Sequence, residues 1–257
     1  MKLLIDLGNS ALKYCTYDGV SLGDTQRLLY KQNALDKLFT EFSEMFNTTS
    51  MFSSAWISSV AKQSVTTQLC EQLAIKGMKD INQIQSRASQ NGIQNAYAEA
   101  EQLGVDRWMA LQAMNSLGLS SAIIVSCGTA VTVDVLIEGQ HQGGFISAGL
   151  GMQLQSLSST ALPRLQSGNI NGFSSEIKIV FKLATDTENA VISGTLYSIV
   201  SWIDRVVSES CKNNKNNIPR VITGGDAPVL LPYLTEQSWR HEPSLVLQGI
   251  ATIAGGI

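Results

Sequence analysis

The stretch Asp6-Leu7-Gly8-Asn9-Ser10-Ala11-Leu12-Lys13 ends a short apolar run with a carboxylate, follows it with a glycine and closes on a lysine. That order suits a phosphate ligand. The carboxylate can hold a hydrated Mg²⁺, Gly8 lets the backbone approach phosphate oxygens, the turn amides form an anion nest and Lys13 brings positive charge. An ordinary hairpin with a solvated lysine contains the same residues, and the long Walker loop ending in Gly-Lys-Ser/Thr is absent. Ser126-Cys127-Gly128-Thr129-Ala130-Val131-Thr132 is a second stretch of this kind, in which Thr129 offers a hydroxyl and Gly128 a close approach. Two such turns facing each other can clamp a triphosphate. Thr223-Gly224-Gly225-Asp226-Ala227 follows another apolar run. It reads either as a loop against which a flat base lies, with a helix N-terminus beyond it, or as a structural turn.

Gly104-Val105-Asp106-Arg107-Trp108 sets a carboxylate beside a guanidinium on an otherwise apolar helix. The pair can act as general base and anion clamp; an ion pair on an exposed helix face is the competing reading. Tyr97 upstream is a core or rim aromatic by default. Thr185-Asp186-Thr187-Glu188 opens a long helical pattern, and Thr185 with Glu188 fits a capping box, so Thr187 has a structural reading too. Cys127 has no histidine near it in sequence and reads as a small buried thiol. His141 and His241 are too few for a histidine triad or a zinc site.

The elements that carry these residues follow from periodicity. Leu3-Leu4-Ile5 reads as a strand, Gly8-Asn9 as a turn and Ala11 to Tyr17 as a returning strand. Asp18-Gly19 turns the chain into a third. Leu35, Leu38, Phe39, Phe42 and Phe46 fall at helical spacing over 34–46. A strand over 55–60 and a polar-faced helix over 62–76 come next. Residues 85–95 read as a loop and 99–117 as one helix. Ala122 to Val125, Val131 to Val135 and Gln140 to Ile146 form a second strand–turn–strand–strand series. Helices over 149–160 and 187–208, a strand over Arg220 to Thr223 and a helix over 245–254 complete the chain. Leu4 to Ser10 lies over Ile124 to Ala130 in this reading, which predicts a duplicated domain with a break near residue 118. A cleft between two such halves is a usual nucleotide site.

The chain has 257 residues with 18 Lys+Arg against 21 Asp+Glu, a net charge of -3. A nucleic-acid-binding face is normally basic, so the balance speaks against nucleic acid as a partner. Charged residues are only 15% and hydrophobic ones 44%, a globular rather than a disordered composition. No opening signal segment and no run of about 18 apolar residues is seen. The four cysteines are scattered, with no CxxC pair. These features predict a cytoplasmic protein with reduced thiols and no membrane span.

Taken together, DLGNSALK, LGVDRW, CGTAVTVD, GGFISAGLGM, DTENAVISG and TGGDA resemble, in order and spacing, the motifs of type III pantothenate kinases. These belong to the superfamily of acetate and sugar kinases, heat-shock proteins and actin, and the resemblance covers essentially the whole chain. It implies an α/β fold of two ribonuclease H-like (actin-like ATPase) domains, over 1–118 and 119–257, with a nucleotide cleft between them. It also implies ATP-dependent phosphorylation of pantothenate to 4′-phosphopantothenate, the entry step of coenzyme A synthesis. By resemblance, Asp6, Leu7, Gly8, Asn9, Ser10, Ala11, Leu12 and Lys13 form the first phosphate loop, with Asp6 holding Mg²⁺ through water. Thr129 contacts ATP, and Gly224, Gly225 and Asp226 lie at the adenosine end. Asp106 becomes the general base, Gly104, Val105 and Arg107 complete its substrate segment, and Tyr97 and Thr187 match further pantothenate contacts. A homodimer is implied, as is a monovalent cation, K⁺ or NH₄⁺. At the cation position the family has Asp, whereas this chain has Ser126. A hydroxyl is a much weaker ligand for a hard cation than a carboxylate, so that site is in doubt. The competing readings are a non-catalytic accessory protein on the same fold and a sugar or acetate kinase.

Overall fold

Leu3, Leu4, Ile5 and Leu7 are all fully buried, so strand β1 (Lys2–Leu7) is covered on both faces. The computed structural model describes residues 1–30, 39–40, 42, 52–160, 183–212, 218–235 and 238–255. β1 pairs antiparallel with β2 (Ala11–Tyr17), which pairs antiparallel with β3 (Gln26–Leu29). On its other side β1 runs parallel to β4 (Ser54–Ser59), and β4 to β5 (Ile81–Gln83). The sheet order is β3-β2-β1-β4-β5. Leu3, Ile5 and Leu7 point to one face, into a cluster with Phe39, Phe42, Ile57 and the Val65, Leu69 and Leu73 stripe of helix α1 (Gln63–Ile75). Most of the helix expected over 34–46 lies outside the described residues.

The opposite face of this sheet is covered from a distance in sequence. Helix α2 (Val105–Ser116) and the last helix of the chain (Leu245–Gly255) pack on each other, and the latter also packs on β1, β2 and β4. A Cβ added to Gly249 would lie 1.9 Å from the Met109 carbonyl oxygen, so the two helices touch backbone to backbone. The chain accordingly divides into a unit of Met1–Ser120, Leu136–Gly143 and Ser244–Ile257, and a unit of Ser121–Val135 and Gly144–Pro243. The domain limits of 1–118 and 119–257 expected from sequence therefore do not follow these units. The apolar C-terminal helix returns to the first unit to bury its face.

The second sheet is built on β8 (Ala122–Cys127), which continues through a tight turn into β9 (Ala130–Ile137) and then β10 (Gln140–Ala148), the stretch Leu136–Gly143 of these two strands being counted with the first unit. β11 (Arg220–Thr223) runs parallel to β8, and β12 (Trp239–His241) parallel to β11. The order β12-β11-β8-β9-β10 within the second sheet repeats that of the first, as the duplicated hairpins predict. Helix α3 (Leu150–Thr160) packs against α4 (Thr187–Lys212). By length and composition α4 could cross a membrane. Its Leu196, Ile199, Ile203 and Val207 are buried, however, and its Asp204 accepts the Thr235 N–H at 3.1 Å. It is a core helix of the second unit.

Three details depart from the sequence reading. The 85–95 loop contains a hairpin of β6 (Ser89–Gln90) and β7 (Ile93–Gln94), joined by Asn91 and Gly92 with φ of 50° and 76°. Asn-Gly in this conformation is the preferred two-residue hairpin turn. The single helix over 99–117 is instead a 3-10 turn at Ala100–Gln102 and then α2, separated by extended backbone at Leu103 and Gly104. The expected capping box is not what starts α4. Asp186 accepts the Asn189 N–H at 2.9 Å, displacing Thr185 and Glu188 from that role.

Candidate active site

The first unit gathers the charged residues. Asp6 lies opposite Lys13 across the β1–β2 ladder and beside Ser58 of β4. Leu7 and Leu12 close the ladder with fully buried side chains, so only their backbone is available to a ligand. Between them Gly8 donates its N–H to the Ala11 carbonyl oxygen at 2.9 Å, which leaves Asn9 and Ser10 exposed at the tip. The Asp6 carboxyl is pushed up to about 7. Burial is the main cause; Lys13 opposes it and Asp106 adds to it. Asp106 is therefore within electrostatic reach of Asp6, although the two are a hundred positions apart in sequence.

Asp106 stands in the first turn of α2, and its Oδ1 accepts the Arg107 N–H at 2.8 Å. A Cβ on Gly104 would come within 2.8 Å of that Oδ1, so a glycine leaves the carboxylate its room. Val105 is buried under the turn. Arg107, the next residue, is only 5% exposed. Its Nη1 donates to the Tyr97 hydroxyl at 2.9 Å, and the guanidinium lies 5.7 Å from the centroid of that ring. Tyr97 is stacked in turn on buried His141, with centroids 6.2 Å apart and planes at 7°. His141 Nδ1 accepts the Ala96 N–H at 3.5 Å. The guanidinium of Arg107 is thus held on an aromatic stack, while the Asp106 carboxylate accepts the backbone N–H of the same residue and lies within electrostatic reach of Asp6. His141 was not singled out by sequence, because nothing in its local pattern signals a partner 44 residues away.

The second unit holds the other turn. Gly224, with φ +100°, is pressed onto Cys127: a Cβ there would lie 2.0 Å from the Cys127 carbonyl oxygen. Asp226 donates its N–H to the same oxygen at 3.0 Å. Gly149 presses from the other side, where a Cβ would lie 2.0 Å from the Gly128 carbonyl oxygen, and its N–H donates to Thr129 O at 3.0 Å. Only glycine accepts such contacts, and at Gly224 such a φ. Thr129 and Gly225 remain exposed, while Ser126 lies beside Thr223 in the β8–β11 ladder. The helix expected after Asp226 is a single turn, Ala227–Leu230. Burial pushes the Cys127 thiol up to about 12, with Asp226 adding to the effect. It is a neutral buried thiol and no nucleophile. Thr187 is exposed at the start of α4, in an open depression lined by Ala184, Thr185, Asp186, Ala190 and Val191. Among the described residues no group of three His, Cys, Asp or Glu side chains could hold a metal.

Two mixed sheets of matching order, each opening on a glycine hairpin, define an α/β protein of the actin-like ATPase class. The crystal structure of a Campylobacter jejuni protein described as a Baf family transcriptional activator superposes with a TM-score of 0.59 at 19% identity, covering 99% of this chain and 100% of that one. ADP-bound MreB5 of Spiroplasma citri superposes with a TM-score of 0.50 at 11% identity, covering 98% and 94%. At these identities the likeness establishes the fold. The chain belongs to the type III pantothenate kinase family, whose model matches residues 2–209. A type III pantothenate kinase of Nitrosococcus oceani is 33% identical over 266 residues, 99% of this chain and 94% of that protein. The family's activity is the ATP-dependent phosphorylation of pantothenate in coenzyme A biosynthesis.

Proposed function

We propose that Asp106 is the general base of the pantothenate kinase reaction and that the segment Asp6–Lys13 receives the ATP phosphates. The carrying observation is the electrostatic coupling of Asp6 and Asp106 beside Lys13. Phosphoryl transfer asks a protein for positioning and charge neutralisation more than for covalent chemistry. Asp106 accepts the proton of the pantothenate hydroxyl as that oxygen attacks the γ-phosphorus in line. Gly104 and Val105 shape the backbone around it. Arg107, braced on Tyr97, meets the anionic acceptor. Thr187 belongs to the same substrate set by family resemblance. Thr129 contributes a hydroxyl to ATP, and Gly224, Gly225 and Asp226 receive its adenosine end.

Asp6, near the end of β1 beside the exposed Asn9–Ser10 turn, is a hard oxygen donor of the kind that suits a hydrated divalent cation. Asp6 would hold Mg²⁺ through water, and the ion would neutralise charge on the β- and γ-phosphates. A monovalent cation fits less well. Ser126 and neighbouring Thr223 offer neutral hydroxyls in place of a carboxylate.

The working form proposed is a cytoplasmic homodimer. Phe145 and Ile146 of β10 are 59% and 63% exposed, and Met152, Leu157 and Tyr197 are exposed on the same unit; apolar surface of this kind favours a second copy. All four cysteines are free thiols, in keeping with a reducing compartment. The deciding experiment is a coupled ADP-release assay with and without pantothenate. Pantothenate-dependent release is expected. Nucleotide binding without turnover would return the chain to an accessory role, and pantothenate-independent release would point to another acceptor.

A further inference from the structure

Tyr30, the residue after β3, is 8% exposed and belongs to the core of the first unit. It makes two bonds to the Gly8–Ser10 turn. Its backbone N–H donates to the Ser10 carbonyl oxygen at 3.1 Å, and its phenol donates to the Gly8 carbonyl oxygen. The carbonyls of Gly8 and Ser10, the residues on either side of Asn9, are thereby held by one residue. Peptide bonds here are trans and planar, so the Gly8 carbonyl and the Asn9 N–H point in opposite directions. Drawing the carbonyl inward onto a buried phenol turns the Asn9 N–H outward, at an exposed residue. Burial and the nearby Asp6 carboxylate both push the phenol above its ordinary range, so it remains a donor throughout the working pH range.

We propose that Tyr30 is the positioning residue of the phosphate turn: its phenol fixes the Gly8–Asn9 peptide plane so that the Asn9 amide meets a phosphate oxygen of ATP. The inference rests on the reading of Asp6–Lys13 as the phosphate segment. Glycine rotates its peptide more freely than any other residue, so this plane is the one most in need of an external hold. Tyr30→Phe keeps the ring in the core and the backbone bond to Ser10, and removes only the phenol bond.

The test compares the unmodified protein with Tyr30→Phe and Lys13→Met, measuring KM for ATP, KM for pantothenate, kcat and thermal melting. A second readout follows the Asn9 amide resonance in ¹H–¹⁵N spectra during ADP titration. Loss of one hydrogen bond of ordinary strength should raise KM for ATP about 3- to 10-fold in Tyr30→Phe, with KM for pantothenate within about twofold. Lys13→Met should also raise KM for ATP. An unchanged KM for ATP in Tyr30→Phe beside a raised one in Lys13→Met overturns the role of Tyr30 and leaves the phosphate reading intact. Unchanged values in both variants overturn that reading and the inference with it. Equal rises in both Michaelis constants with a lower melting temperature would make Tyr30 merely structural. Where Tyr30→Phe does not fold, an Asn9 resonance unmoved by ADP in the unmodified protein overturns the proposal, and a shifted one supports it.

Discussion

Lys13 stands directly opposite Asp6 in the β1–β2 ladder, yet the Asp6 carboxyl still titrates near 7. Burial outweighs the lysine, and Asp106 adds to the rise. A carboxylate in such a place costs the free protein stability.

The sign of the pH effect follows. In the unfolded chain this carboxyl titrates near 3.8 and in the folded one near 7, so the folded state holds the proton more tightly. That contribution is fully present below about 4 and is lost as pH rises through about 7. Asp6→Asn, which stays neutral, should match the unmodified protein near pH 4 and melt above it at pH 8, in EDTA without nucleotide. Because the side chain is half-buried, solvent screening reduces the effect to on the order of 1 kcal/mol, roughly 2–4 °C. Identical melting curves at pH 8 would show that the carboxylate is well solvated.

Asp106→Asn keeps the Oδ1 acceptor for the Arg107 N–H and removes the base. General-base contributions are about 10²–10⁴-fold, so kcat should fall by that order while KM for ATP changes little. Steady-state kinetics check it. Undiminished turnover would reduce Asp106 to a structural partner of α2.

How far the sequence could be read depends on how local each feature is. The hairpins at Gly8 and Gly128, the strand over Arg220 to Thr223 and the long helix from Thr187 all rest on short-range periodicity and turn residues. They appear where expected. Asp106 and Arg107 are visible in the sequence as a pair, but not the seating of Arg107 on Tyr97, because tertiary packing decides it. The return of Leu245–Gly255 to the first unit depends on the Gly249–Met109 crossing, which no periodicity encodes. Tyr30 and His141 act through partners far away in sequence, and an isolated tyrosine or histidine carries no local signal. The Asn91-Gly92 turn has a local signal of its own, diluted by the polar residues around it.

The Gly249 crossing gives a stability prediction. In Gly249→Ala the new methyl meets the Met109 backbone at 1.9 Å, and backbone cannot yield as a flexible side chain can. Overpacking of this kind costs about 1–3 kcal/mol, a fall of roughly 2–12 °C in Tm. Activity should fall with it, since α2 carries Asp106. Gly194→Ala is the control: it lies within α4 with nothing within 4 Å of an added Cβ, and should gain about 0.5–1 kcal/mol. Calorimetry of both variants checks the contrast, and equal behaviour would mean that the two helices part easily.

Ser126 yields the last prediction. It corresponds to Asp6 in the repeated hairpin, as the matching sheet orders indicate, and it holds a hydroxyl where the family pattern has a carboxylate. A hydroxyl binds a hard monovalent cation far more weakly than a carboxylate does. Turnover by the unmodified protein should therefore change less than about twofold when KCl is replaced by NaCl or a bulky organic cation at constant ionic strength. Ser126→Asp should create a dependence on K⁺, visible both in kcat and as a rise in Tm with KCl. A new carboxylate there lies beside Thr223, so without K⁺ this variant should melt below the unmodified protein. Strong K⁺ activation of the unmodified protein would overturn the argument and direct attention to buried Asp134 of β9 or a second copy of the chain as the source of the missing charge.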